Sequence, residues 1–172
     1  MRQTSFAGFH CSLARSLDVM GDWWTPLIVR DLFLGVDRFD DLVADLGISR
    51  NLLTARLAGL VEHGIVERQR YSERPPRDRY RLTEAGRELM TILAALTAWG
   101  DRWETPPGGP PVLFQHQACG HRFTPRVACS HCGEPITAEE LEVLPGPGRR
   151  RAPGTMLSGE AISRRRGTAA SG

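Results

Sequence analysis

Four side chains in the last third of the sequence have the types and spacing of a tetrahedral metal site. His116-Gln117-Ala118-Cys119 and Cys129-Ser130-His131-Cys132 are two pairs with two-residue gaps, nine residues apart. Two such pairs supply the four ligands that a closed, structural Zn2+ site takes. Gly120 and Gly133 follow the second ligand of each pair, where positive φ is tolerated and backbone N–H groups can turn toward the sulfurs. His121 could stand in for His116 as the fourth ligand, and a redox-active dithiol at Cys129/Cys132 is the other chemistry open to these residues. About thirty residues cannot build a stable core unaided, so a metal would supply folding energy directly. A nucleobase deaminase also uses zinc and Cys-x-x-Cys, but it needs His-x-Glu and a Pro before the paired cysteines. Here Ala118 and Phe123 follow the histidines and Ala128 precedes Cys129, so no carboxylate is placed to activate water. No nucleophile elbow or phosphate-cradling loop is present either, and an enzyme is not expected.

A second set of residues has the chemistry of base and phosphate recognition. Arg50 can fork onto guanine, Asn51 onto adenine, and the Thr54 methyl can meet a thymine methyl. Ser49, just before them, can cap a helix and meet phosphate together with the free backbone N–H groups. Arg74 and Arg77 flank Pro75-Pro76, and Arg68, Arg70, Arg79 and Arg81 lie on either side. Arg74, Arg77 and Arg79 are the expected contacts to the DNA backbone, whereas Arg68 and Arg81 read equally well as a solvated strand face.

The elements that must position these groups follow from periodicity. Leu13, Leu17 and Met20 recur at helical spacing before Gly21. Thr25-Pro26 is a cap and first-turn pair for a helix through Leu34, ending at Gly35. Residues 39–46 and 49–63, joined by Gly47-Ile48, have the length and turn chemistry of a helix-turn-helix, with Leu53, Leu57, Leu60 and Val61 inward. Residues 65–71 and 79–82 read as strands around a tip at 72–78. Thr83 can cap a long last helix with Leu89, Leu93, Leu96, Trp99 or Gly100, and Trp103 along one stripe. A hairpin beside a recognition helix can reach the neighbouring backbone or minor groove, where Arg contacts are favourable. The predicted fold class is α+β, a winged helix-turn-helix.

Composition sets the outer limits. The chain has 172 residues, 41% hydrophobic and 24% charged, room for one domain and an appendage. All 22 basic residues are arginine. Residues 145–172 carry six Arg and one Glu, net +5, and residues 1–144 hold 16 Arg against 19 acids, net −3. Within residues 64–82 six Arg face three acids, net +3, which suggests a local anion contact rather than a generally sticky surface. Arg149–Arg151 and Arg164–Arg166 would add non-specific attraction or simply be solvated. The expected organisation is a DNA-binding and dimerisation domain at 1–104, a Pro/Gly linker at 105–111, a zinc-ribbon-like module at 112–144 and a disordered tail at 145–172. No apolar run approaches the roughly 18–20 residues that span a bilayer, and the first residues lack a secretion signal, so a cytoplasmic protein is expected.

Several separate motifs resemble one family in order. Cys11 with Leu13 through Trp24, Gly35, Arg38-Phe39 with Leu42, and Gly47-Ile48-Ser49 with Leu52-Leu53 and Arg56-Leu57 look like HxlR-type bacterial transcription regulators, relatives of the MarR-like winged helices. Residues 60–68, Pro75-Pro76 with Tyr80, and Leu82-Thr83-Glu84-Ala85-Gly86 continue the resemblance to about residue 104. It implies a homodimer on an inverted-repeat operator, with an interface built from the first and last helices, and a repressor is expected rather than an activator. The apolar residues Leu89, Met90, Leu93, Leu96, Trp99 and Trp103 independently exceed what a lone terminal helix needs. The resemblance also implies that Cys11 could sense oxidants or electrophiles, a role that requires an accessible thiolate. The reading from a different class is a protein-binding adaptor that keeps the scaffold without DNA recognition.

Overall fold

The computed structural model describes residues 5–158 and 160–162, and the chain folds as two units. The larger spans residues 24–136 and holds the core.

In that unit α2 (Trp24–Phe33), α3 (Phe39–Leu46) and α4 (Arg50–Glu62) are followed by the antiparallel strands β1 (Val66–Glu73) and β2 (Pro76–Leu82), then by α5 (Glu84–Trp103). Helix α2 lies at the centre and packs against α3, α4, β2 and α5. Its Ile28 and Val29 are fully enclosed, together with Leu42, Leu53, Leu57 and Leu60 from α3 and α4 and Val66 from β1. Enclosing each of these side chains contributes about 1.5–3 kcal/mol. Thr25 lies within the first turn of α2 rather than at its cap, and is buried. The boundaries of α3 and α4 are set by local chemistry. Gly47 adopts the left-handed conformation (φ 63°) and its N–H closes α3 on Val43 O, while the Ser49 hydroxyl accepts from Leu52 N–H to start α4.

The hairpin is longer and tighter than residues 72–78 as a tip would give. Glu73 pairs with Pro76, so the chain reverses at Arg74-Pro75, whose peptide is cis. One extra residue, Tyr71, bulges between Arg70 and Ser72. A short third segment joins the sheet: Tyr80 N–H donates to Asp37 O (2.8 Å), and Arg38 bridges to Arg79. At the other end of the hairpin Thr83 ties the sheet to α5, donating from N–H to Ile65 O (3.1 Å) and from Oγ1 to Gly64 O (2.6 Å).

Helix α5 does not carry one apolar stripe. Met90 and Leu93 belong to the core of their own unit, whereas Ile92, Leu96, Trp99 and Trp103 stand more than half exposed along a separate line. Twenty residues of a 3.6-residue helix have room for both lines, which periodicity alone merges. Beyond α5 come two short strands, β3 (Phe114–Gln115) and β4 (Arg122–Phe123).

Asp31 of α2 is the buried acid of this unit, 1% exposed. One oxygen meets Arg30 at 2.6 Å; the other has no hydrogen-bond partner among the described residues. Burial pushes its carboxyl above the usual range, with Arg30 opposing. A raised native value means that the protonated acid favours the fold, and that this benefit is lost as pH rises through that value. Asp31→Asn, which keeps the shape without the charge, is therefore expected to raise Tm by a few degrees at pH 7. The advantage should vanish below the ordinary carboxylate range, as thermal melts at the two pH values would show.

The smaller unit combines residues up to Trp23 with residues from Thr137 onward. Helix α1 (Ser12–Met20) is its main helix, with Cys11 at the N-cap. The stretch expected to be a disordered tail is described as far as Ile162, with a turn at Arg149 and another at Thr155. It lies on the N-terminal segment: His10 N–H donates to Pro153 O (2.9 Å) and His10 Nε2 meets Gly148 O (2.5 Å). The partner surface is an edge-to-face pair, Phe6 and Phe9, against which Gly154 packs so closely that a Cβ there would fall 2.6 Å from Phe9. The tail's own composition holds few large apolar residues, and the N-terminal segment supplies the rings against which Gly154 packs. Arg151 pairs with Glu160 (3.7 Å); Arg164–Arg166 lie outside the described residues.

Candidate nucleic-acid interface

Helix α4 turns Leu53, Leu57 and Leu60 inward, which leaves Arg50, Asn51, Thr54, Ala55 and Ala58 exposed on the opposite face. Asn51 has no side-chain partner among the described residues. The Thr54 hydroxyl donates back to Arg50 O (2.8 Å), which leaves its methyl as the outward group. Arg50 is not idle: its Nη1 donates to Asp40 Oδ1 at 2.7 Å and its guanidinium lies 4.9 Å from the Phe39 ring centre. Asp40 and Phe39 open α3, so the first turn of one helix holds the first side chain of the next.

The wing supplies a second set of cations, and one acid sorts them. Asp78 of β2 accepts from Arg68 Nε (2.8 Å) and from Arg70 Nε (3.2 Å). The Arg68 hydrogen bond holds the Asp78 carboxyl below its usual range. This clamp is present above the ordinary Asp value and is lost as pH falls through the lowered one. Arg70 also reaches Glu73 at 3.6 Å. Arg74 and Arg77, at and beside the tip, are exposed and have no acidic partner among the described residues. Arg79 is partly buried, whereas the other wing arginines are exposed. Its guanidinium sits over the Tyr71 ring (5.0 Å) with Nε 3.7 Å from Asp37, and Arg38 approaches the same ring (5.4 Å). Arg79 thus also braces the wing against the segment before α3. The bulge at Tyr71 creates the ring between the two arginines, and no local pattern in the sequence announces it.

The recognition helix and the wing share one face. Arg38, Phe39, Asp40, Arg50, Tyr71 and Arg77 line a single open cleft of about 350 Å3. Arg50 from α4 and Arg77 from the wing thus border the same groove, and Asp40, paired with Arg50, lines it as well. An exposed pair such as Arg50–Asp40 is worth at most about 1 kcal/mol. Asp40→Asn is therefore expected to free Arg50 at little cost and strengthen duplex binding roughly three- to five-fold at low salt, less as salt rises. A fluorescence-anisotropy titration at two salt concentrations checks this, and weaker binding would mean that Asp40 instead orients Arg50 for its base.

A family model described as HxlR-like helix-turn-helix matches residues 19–107. The chain belongs to this family. The HxlR-like chain is 47% identical over 137 residues to an uncharacterized HTH-type transcriptional regulator of Mycobacterium tuberculosis, covering 80% of this chain and 87% of that one. The solved structure of PA1607, a candidate transcription factor, is similar at a TM-score of 0.71 and 37% identity, over 82% of this chain and 99% of the other. The reduced form of the redox regulator HypR matches at a TM-score of 0.51 and 32% identity, over 54% of this chain and 92% of that structure. The HxlR-like chain is thus a DNA-binding regulator of the helix-turn-helix type and not an enzyme. No helix among its described residues is long and apolar enough to cross a membrane.

The remaining predicted positions lie elsewhere. Cys11 is half-buried, with Gly154 close enough that a Cβ there would stand 3.3 Å from the Cys11 Cβ. His116 Nδ1 lies 3.4 Å from Cys119 Sγ. The Cys129 thiol is held below its ordinary range by the backbone N–H groups of Cys132 and His131 and by the Cys132 side chain. Among the described residues no three His, Cys, Asp or Glu side chains gather around one point.

Proposed function

We propose that the chain is a homodimeric repressor that reads an inverted-repeat operator with Arg50, Asn51 and Thr54 in the major groove. In this reading Ser49 with the first N–H groups of α4 meets one phosphate, and Arg74 and Arg77 meet the flanking backbone. The observation that carries it is the shared cleft: a base-reading arginine and an unpaired wing arginine border one groove. Dimerisation is favoured by the line Ile92, Leu96, Trp99 and Trp103, because large apolar side chains at helical spacing are costly to leave in water. Two copies joined there would present two α4 helices to half-sites about one turn of DNA apart, roughly 34–36 Å.

Selection of bound sequences from random duplex DNA, with light scattering of the free protein, tests this reading. Palindromic enrichment and a dimer mass are expected. A monomer, or the absence of any enriched sequence, would favour an adaptor. Oxidant control through Cys11 is the second element, supported by the likeness to the redox regulator HypR. Cys11→Ser should keep operator binding and lose release by diamide; release that persists would remove Cys11 from the mechanism.

A further inference from the structure

From Val112 to Ile136 no side chain is buried. The rings of Phe114 and Phe123, 6.2 Å apart, and of His116 and Phe123, 6.1 Å apart, are surface contacts. Twenty-five residues without a core should not hold a defined shape in water. Yet the chain makes two turns of the same build there.

In the first turn His116 N–H donates to His121 O (2.9 Å) and Gly120 N–H donates to His116 O (2.8 Å). In the second, Cys129 N–H donates to Glu134 O (2.8 Å) and Gly133 N–H donates to Cys129 O (2.8 Å). Gly120 and Gly133 have φ of 71° and 78°, a left-handed corner that a glycine adopts without strain. The flanking register also matches: Gln115 pairs with Arg122 before the first turn, and Ala128 pairs with Pro135 before the second. Two short hairpins thus carry a ligand pair each, at equivalent positions on equivalent turns.

We propose that these turns are the two halves of one structural zinc site, with His116, Cys119, Cys129 and Cys132 as its ligands. The register decides between the histidines: His116 occupies the position of Cys129, and His121 that of Glu134. Three thiolates and one imidazole form a closed tetrahedral set that suits Zn2+ better than the harder cations. Each half is formed in the chain as it stands, and the two halves are not gathered around a common point. Joining them costs little chain entropy, because fewer than ten residues separate Cys119 from Cys129. Zn2+ binding would release the three thiol protons to solvent and give this coreless stretch a cross-link. The proposal does not depend on the DNA reading.

The test uses the full-length chain, purified reduced and without chelator. About one zinc per chain is expected by elemental analysis. After zinc removal, Co2+ should give the intense visible bands of a tetrahedral site and near-ultraviolet thiolate charge transfer. Cys129→Ser and His116→Ala should weaken or abolish these bands, while His121→Ala and Cys11→Ser should leave them unchanged. Helices α2 to α5 have their own core, so far-ultraviolet circular dichroism of every variant should stay near that of the parent. Protein without zinc and without cobalt bands would overturn the proposal, as would bands that survive Cys129→Ser. Bands lost with His121→Ala but kept with His116→Ala would overturn the ligand assignment. A Cys129–Cys132 disulfide in metal-free protein after gentle air exposure, with no response to cobalt, would establish the dithiol instead.

Discussion

Gly86→Ala is expected to destabilise the larger unit by on the order of 3 kcal/mol, although alanine is the better helix former. A Cβ at Gly86 would overlap the Ile65 carbonyl oxygen and crowd Leu82 Cδ2 (3.1 Å) and Cβ (3.2 Å). The carbonyl is backbone and cannot swing aside, because Ile65 O already accepts from Thr83 N–H in the joint between sheet and helix. Relief therefore requires the first turn of α5 to lift off the hairpin base, an overpacking cost of about 1–3 kcal/mol or more. Gly59 of α4 is the control. A Cβ there meets nothing within 4 Å. Gly59→Ala should stabilise by up to about 1 kcal/mol through helix propensity alone. Thermal melts of both variants should move in opposite directions, and a shared direction would refute the close approach at Gly86.

The second large effect concerns sequence discrimination. Arg50→Ala and Asn51→Ala should each cost on the order of 1–3 kcal/mol on the selected operator, about ten- to a hundred-fold in Kd. Binding to random duplex should change much less, because that term comes from phosphate contacts. Of the two, Asn51 gives the cleaner test. It has no partner to release, whereas Arg50→Ala also leaves Asp40 unpaired and facing the DNA. Asn51→Ala should flatten discrimination at the base pairs it faces and leave the salt dependence as it was. If it lowered affinity equally for all sequences, its role would be backbone contact rather than reading.

The readable and unreadable parts of this chain differ in the range of the interactions that fix them. The turn from α3 to α4 was legible because its signals are local: a glycine at the left-handed corner, a serine capping three residues ahead, and leucines at helical spacing. The hairpin was only partly legible. Ser72-Glu73 and Arg77-Asp78 are polar and carry no strand pattern, and the pairing that includes them is set across the hairpin. The bracing role of Arg79 was hidden because its partners, Asp37 and Tyr71, come from other segments, one of them displaced by a bulge. The contacts that Gly148, Pro153 and Gly154 make were hidden for the same reason, since His10 and Phe9 lie at the opposite end of the sequence. Asp31 and Gly86 went unassigned. The motif around Gly86 was visible, but its cause is a carbonyl twenty-one positions earlier.

The most direct test is the salt dependence of operator binding for the parent chain and for the double variant Arg74→Ala/Arg77→Ala. If α4 and the wing grip one duplex together, the magnitude of the slope of log K against log salt should fall by about two for each wing that reaches DNA. The ranking of operator sequences should stay the same. An unchanged slope would mean that the wing does not touch the duplex, and an operator preference lost along with it would mean that the two surfaces do not act as assigned.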